Sequence, residues 1–552
     1  MSTGIFTDAQ TENRTSALDW ARILAWLVPA AVVLFSVVVR LPLLDRPPHV
    51  DEFFHALAAQ SLLDDGDLAT LDGSEYTRGK LFTYLVAGSF ALFGESFVVG
   101  RLVPLACGVL LVLAVFLVVR RCAGSVAAVA AAIPLALDPV SVQMSQFTRF
   151  YTLHALLFWI GAWSGYRMLD TSATARQRVM YGALLVVTLL LARHLQATTL
   201  IGIMGVGAWM AAVLVHRGIT TLRGVPDVMR RAPATATAMT MIVGAAAGLA
   251  VALVTPPLRD LLGGFTYVPR WAMDTAGDAR YYMRQIAADW PMLWLGSPVL
   301  AVGALRRAPR AASFALTVFA AVLVLHSLAA WKTDRYIFYG MPFFFAVCGM
   351  GTAWLAAYFM EAVVRLLQSL PGTGWMRWQA SVAWAALALA GVFALVQMPG
   401  VREAGRWLRE RQPMNADGTP GLGRPDWAAA RDSLVPYVER GADVLVSTDV
   451  KAVFYLDRVD GYLHRPEPLD PAPGDTISPY TGRPRIFSPE RLREQLAANE
   501  LTLIVVEASH WRSDFAVPDE LADEIERVAR PLKLPADWRL RAYVHERADD
   551  EP

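Results

Sequence analysis

The chain has 552 residues, 55% of them hydrophobic and only 18% charged, with a mean hydropathy of +0.38, which excludes an ordinary soluble protein. A net charge of +1 excludes bulk electrostatic attraction to nucleic acid or to anionic lipid. The three cysteines, Cys107, Cys122 and Cys348, lie in or beside apolar runs without metal-ligand spacing, which excludes a disulfide framework and a cysteine metal site.

The stretch 1–21 is polar and shows no signal-peptide pattern, so the first apolar run is expected to remain as an anchor. A spanning helix needs roughly 20 apolar residues. Runs of that kind are predicted at 22–40, 98–118, 123–138, 151–169, 179–193, 197–215, 234–256, 291–305, 311–330, 336–358 and 380–398. The count is about eleven spans. The 17 Trp and 16 Tyr suit a chain with many membrane–water boundaries. By contrast, LFTYLVAGSFALF (81–93) has only about 13 residues and suits a half-embedded helix.

Basic residues predict the sidedness. Arg120-Arg121, Arg176 with Arg178, Arg217 through Arg230-Arg231, Arg306-Arg307 with Arg310, and Arg365 with Arg377 fall in alternate connections, as cytoplasmic loops do. The alternation requires that 81–93 does not cross. The outer side then holds 41–97, 139–150, 193–196, 257–290, 331–335 and everything after 399. Those connections carry Asp51, Glu52, His55, Arg78, Lys80, Asp138, Arg149, Arg193, His194, Lys332, Asp334 and Arg335. A charge within a bilayer costs on the order of 2.5–3.5 kcal/mol, so such groups pair or line a wet cavity. Any one of them also reads as a snorkelling charge at the membrane surface.

From about residue 399 the chain turns charged and rich in Gly and Pro. Residues 427–440 have helical spacing, and GADVLVSTD (441–449) and LTLIVVEAS (501–509) read as buried strands. A soluble α/β domain of about 150 residues is expected. The predicted organisation is a cytoplasmic tail 1–21, a membrane domain 22–398 whose first outer loop is 41–97, and an extracytoplasmic domain 399–552.

Chemistry concentrates in HVDEFFHALAA (49–59). Pro47-Pro48 block a helix before it, and FFHALAAQSLL runs helically to Asp64-Asp65-Gly66. On one reading Asp51 caps that helix and Glu52 complements its dipole. On the other, Asp51, Glu52 and His55 share a face and act chemically. DEFFH lacks the first His of the H-E-x-x-H zinc motif, although a loosely held divalent ion stays open. QFTRFYTLHALLF (146–158) puts Arg149 and Tyr151 at the outer end of a span, and WKTDRYIFYGMPFFF (331–345) does so for Lys332 and Arg335. Those two cations repel unless an anion or Asp334 lies between them. Arg193-His194 adds a further pair of anion contacts. Carboxylates that take a proton, beside cations that hold phosphate, indicate group transfer from an anionic lipid.

RLPLLDRPPHVDEFFHALA, the GK-L-F-x-Y-L segment and LFGESFVVGRLVP together resemble the opening of GT-C glycosyltransferases. The chain is most similar to the protein O-mannosyltransferases and the lipid A aminoarabinose transferases, and TRFYTLHALL and KTDRYIFYGMPFF match two later signatures. The resemblance covers roughly 20–358 and implies a multi-pass α-helical membrane protein of the plasma (inner) membrane, with a C-terminal α/β domain. It implies transfer of one sugar from a polyprenyl-phosphate carrier to a protein, lipid or polysaccharide on the extracytoplasmic face, usually with inversion. Asp51 would be the general base, with Glu52 orienting the acceptor or supporting Asp51. Lys80, Arg149, His194, Lys332 and Arg335 would bind the carrier phosphate, and His55, Tyr151 and Tyr336 would line the substrate. Where relatives often show Lys-Pro-Pro, this chain has Gly79-Lys80-Leu81. No cofactor is implied.

Two other classes stay in view. A lipid-linked-sugar transporter or flippase predicts an inverted repeat or broken-helix pairs in corresponding halves, and the sequence shows neither. A non-catalytic membrane protein that binds glycans predicts carboxylates that can be removed without loss of function.

Overall fold

The computed structural model describes residues 26–69, 73–221, 275–330, 332–368, 376–410, 424–465, 477–478, 481–514 and 516–547. The chain divides into two compact units. One comprises Met1–Pro42, Pro104–Gln146 and Phe150–Arg409; the other comprises Leu43–Val103, Phe147–Arg149 and Glu410–Pro552.

The first unit is helical. Among the described residues, five helices are long and apolar enough to cross a membrane: Phe97–Ala123, Ala175–Leu195, Thr199–Gly218, Pro309–Leu328 and Asp334–Leu366. The number rises to seven if each of two bent pairs counts as one span. The chain is a membrane protein, and the prediction of about eleven spans is higher than this number. The described helix Trp26–Arg40 is shorter than a span, and Pro291–Arg307 has 17 residues. Tyr151–Met168 has 18 residues, but Thr152, His154, Ser164, Tyr166 and Arg167 lower its apolarity. It is buried along most of its length, so protein rather than lipid surrounds it. The predicted span 234–256 lies outside the described residues.

Two bent helix pairs add to the sequence reading, which took 123–138 and 380–398 as single runs and found no broken-helix pairs in corresponding halves. Ser125–Leu137 turns by 64° into Pro139–Ser145, and Ser381–Val396 turns by 62° into Pro399–Trp407. Each second helix begins on a proline, which cannot continue the preceding hydrogen-bond ladder. The two short helices pack together, and Trp407 Nε1 donates to Gln146 Oε1 at 2.8 Å. Pro399–Trp407, predicted to open the outer domain, thus packs within the helical unit.

Close helix packing in this unit depends on small residues, as it does in membranes generally. A Cβ at Gly351 would lie 2.2 Å from the Leu300 carbonyl oxygen, and one at Gly349 would lie 2.5 Å from that of Ala127. Both glycines sit on the helix Met341–Gln368, which packs against Pro291–Arg307 and Ser125–Leu137. Arg40, fully buried, donates to the hydroxyls of Ser36, Ser141 and Ser145 and to the carbonyls of Ser36 and Ala136.

The second unit joins the helices Val50–Asp64 and Lys80–Phe93 to an α/β sheet. Lys80–Phe93 has 14 residues, short of a span, and exposes Tyr84, Leu85, Leu92 and Phe93. The strands are β1 Asp443–Val446, β2 Gly461–Tyr462, β3 Leu501–Glu507, β4 Arg530–Leu532 and β5 Leu540–Glu546, in the order β2-β1-β3-β5-β4. β1 runs parallel to β2 and β3, and β5 runs antiparallel to β3 and β4.

Alternation along the strands buries both faces. Val444, Val446, Leu503 and Val505 pack on one face with Leu434 and Leu456. Leu445, Ile504 and Val506 pack on the other with Leu492, Leu496, Leu521 and Ile525. The result is a sheet with helices on both sides, which agrees with the predicted α/β class. The strands around 441–449 and 501–509 and the helix near 427–440 appear as predicted. β2 and β4, of 2 and 3 residues, are too short for a periodic signal.

Candidate active site

In the second unit, Pro47 and Pro48 follow a turn, and His49 caps the helix Val50–Asp64. Its Nδ1 accepts the Asp51 amide at 3.1 Å, while Glu52 Oε1 reaches back to the His49 amide at 2.9 Å. The cap is therefore His49 and not Asp51, because Asp51 already lies within the first helical turn.

The adjacent carboxylates have different surroundings. Glu52 is fully buried, and Arg101 grips both its oxygens at 2.8 Å. It also accepts the Thr148 amide at 2.9 Å, and Arg424 Nη1 lies 3.6 Å away. Burial pushes the Glu52 carboxyl up, but Arg101, Arg424 and the Thr148 amide outweigh it and hold it at about 2. Arg101 also donates to the Leu44 and Arg46 carbonyls at 2.6 and 2.7 Å, which fastens the turn before the helix. Asp51 is more open, its side chain 23% exposed, with Arg149 Nη2 and His49 Nδ1 each 3.9 Å away. Arg149 also donates to the Asp51 backbone oxygen at 3.3 Å.

His55 does not face an open surface. Its ring is fully buried, with Nδ1 2.8 Å from Thr83 Oγ1, Nε2 3.4 Å from the Tyr76 hydroxyl, and Phe82 and Tyr76 edge-on to it. Burial, with Arg149 nearby, puts its pKa well below the ordinary histidine value. Asp51, Glu52 and His55 therefore do not converge on one ion. Among the described residues, no group of three or more His, Cys, Asp or Glu is placed to hold a metal. Lys80, the first residue of its helix, pairs with Glu75, and Arg78 is exposed.

The remaining candidates lie in the first unit. Lys332 is buried and donates to the Ala329 carbonyl at 2.6 Å. The Arg335 guanidinium lies 5.8 Å from the buried Tyr151 ring and 5.7 Å from that of Tyr336, within cation–π range. His194 and Arg193 are exposed in the last turn of Ala175–Leu195. A cavity in this unit is lined by Asp138, Tyr282, Gln285, Asp289, Trp290 and Asp334. The structure thus brings Asp51 to Arg149 and Arg335 to Tyr151 and Tyr336, and leaves His194 exposed.

Sequence reasoning missed Arg101, Thr148 and Arg424. A lone arginine inside the predicted span 98–118 was a usable signal for Arg101, because such a charge needs a partner. Thr148 acts through its backbone amide and Arg424 lies 372 positions from Glu52 in a Gly- and Pro-rich stretch, so neither carried a signal.

Residues 78–226 match the family described as dolichyl-phosphate-mannose-protein mannosyltransferase. Among solved structures, the chain is similar to ArnT from Cupriavidus metallidurans in the apo state, with 14% identity and a TM-score of 0.58 over 96% of this chain and 98% of that one. For the same protein bound to undecaprenyl phosphate the values are 16%, 0.55, 94% and 98%. The archaeal oligosaccharyltransferase AglB from Archaeoglobus fulgidus, in complex with an inhibitory peptide and a dolichol-phosphate, gives 16% and 0.55 over 97% of this chain and 75% of that one. No curated protein matches the chain. The family match is thus confined to 78–226, and over nearly its whole length the chain shares the fold of ArnT and AglB.

Proposed function

We propose that the protein transfers a single sugar from a polyprenyl-phosphate carrier to an acceptor hydroxyl on the extracytoplasmic face, inverting the anomeric centre, with Asp51 as general base. The observation that carries this reading is the division between the two carboxylates. Glu52 is saturated by Arg101, Thr148 and His49, whereas Asp51 keeps a partly exposed carboxylate at the helix start. Asp51 takes the acceptor proton as the hydroxyl oxygen attacks the anomeric carbon, and the carrier leaves as its phosphate. Of the two roles expected for Glu52, its burial supports the positioning one. Arg149 stands beside Asp51 and suits the departing phosphate, although it must share its charge with that carboxylate.

The two similar structures solved with undecaprenyl phosphate and with dolichol-phosphate support the donor class. Lys80, His194, Lys332 and Arg335 are assigned phosphate contacts, and Tyr151 and Tyr336 substrate contacts, from the sequence resemblance, and each is tested by its own substitution.

The experiment is transfer from radiolabelled polyprenyl-phosphate mannose to a membrane extract by the reconstituted protein. Wild type should label an acceptor, and Asp51→Asn should lower the rate by about 10²–10⁴-fold. Equal transfer by both would end the assignment of Asp51. Labelled lipid that moves across the vesicle without any transfer would instead favour a flippase.

A further inference from the structure

We infer that Arg424 is a positioning residue for Asp51, so that the C-terminal segment sets the geometry of the proposed base; this rests on the transferase reading above. Arg424 Nη1 donates to the Pro47 carbonyl at 3.2 Å and lies 3.6 Å from Glu52 Oε1. Pro47 and Glu52 bracket the turn and cap that place Asp51, so one guanidinium touches the chain on both sides of it. Two other parts of the C-terminal segment reach the same few residues. Arg46 Nη2 donates to the Glu410 carbonyl at 3.3 Å. Phe454 and Tyr455 lie edge-on to Phe53, with ring centroids 5.4 and 5.8 Å apart, and Phe454 also meets Phe97 at 4.7 Å. Phe53 is fully buried and directly follows Glu52.

The Asp51 carboxylate stands 3.9 Å from His49 Nδ1 and from Arg149 Nη2, and Arg424 also acts on it electrostatically. Its backbone lies between Pro47 and Glu52, the two residues that Arg424 touches, so it moves with them. Arg101 and Arg424 differ in what their removal does. Without Arg101, Glu52 is left buried beside a missing partner. Without Arg424, whose side chain is 21% exposed, Glu52 keeps its two-point pair, so the fold should persist while the turn loosens. Small displacements of a catalytic group are costly to the rate even when binding is unchanged.

The test compares full-length wild type, Arg424→Gln and Arg424→Lys with polyprenyl-phosphate mannose as donor. Arg424→Gln should lower kcat about tenfold with KM for the donor changed less than about twofold, and Arg424→Lys should recover part of the loss. Hydrogen exchange on the same proteins should show faster exchange at 44–56 in Arg424→Gln, with 501–507 unchanged. Unchanged exchange at 44–56, or faster exchange across both segments, would overturn the positioning role. An unaltered kcat in an active enzyme would overturn it as well. If wild type itself transfers nothing, the transferase reading fails, and exchange still decides whether Arg424 holds the turn.

Discussion

Glu52 and Arg101 meet at two points, Nε to Oε2 and Nη2 to Oε1, each 2.8 Å, with side chains 0% and 1% exposed. The pair fastens the start of the helix that carries Asp51. Removing one partner of such a pair leaves an uncompensated buried charge and costs about 3–5 kcal/mol. Arg101→Leu should therefore lower the unfolding midpoint of the detergent-solubilised protein markedly. The pH dependence has a definite sign. The folded Glu52 pKa, about 2, lies below its ordinary value of 4.5, so the pair's contribution is complete above pH 4.5 and is lost as pH falls towards 2. Unfolding midpoints measured across that window should converge for wild type and Glu52→Gln, and parallel curves would contradict the assignment.

His55 should remain neutral in the folded protein at pH values where the unfolded chain protonates it. Its pKa is depressed, so its contribution to stability is present above about pH 6.5, the ordinary histidine value, and declines below that. The stability difference between wild type and His55→Phe should change sign or shrink in acid. A pH-rate inflection near neutrality that survives in His55→Phe belongs to another group.

Gly351 is a packing position and not a site residue. Because a Cβ there would lie 2.2 Å from the Leu300 carbonyl oxygen, Gly351→Val must push two helices apart. A loss of about 1–3 kcal/mol or more is expected, seen as reduced yield of folded protein and a lower thermal midpoint. Gly391→Val, where a Cβ would meet nothing within 4 Å, serves as the control and should leave both measurements unchanged.

Lys451 and Glu507 form a second buried pair, 2.7 Å apart, with Trp427 Nε1 donating to the same Glu507 oxygen at 3.1 Å. Burial pushes the Glu507 carboxyl up, but Lys451 and its neighbours hold it below the ordinary value. Lys451→Met should destabilise the sheet by about 3–5 kcal/mol, because Glu507 is left buried without its cation. Faster hydrogen exchange across β1 and β3 would show it. Unchanged exchange in both strands would mean that the pair adds no net stability.

The sequence determined the membrane class, most helices, two central strands and the place where chemistry concentrates. These follow from local signals: apolar runs of span length, alternation in buried strands, and adjacent carboxylates after Pro47-Pro48. Nine of the eleven predicted spans lie wholly on described residues and a tenth, 22–40, does so from residue 26; all ten overlap helices, although fewer of those helices meet the length and apolarity of a span. The sequence also carried the family resemblance, because the D-E, R-x-Y and K-x-x-R-Y patterns recur in order.

Only the tertiary structure decided which carboxylate is fully buried and which stays partly exposed. Asp51 and Glu52 are chemically alike and adjacent, but helical geometry points successive side chains in different directions. One of them meets Arg101, 49 positions away, and Arg424, 372 positions away. The same holds for His55, whose three-residue spacing from Glu52 suggested a shared site while Thr83, Tyr76 and Phe82 enclose it. Periodicity reports which face of an element is apolar. It does not report which distant charge arrives to neutralise a buried one, and that pairing is set by the packing of the whole unit.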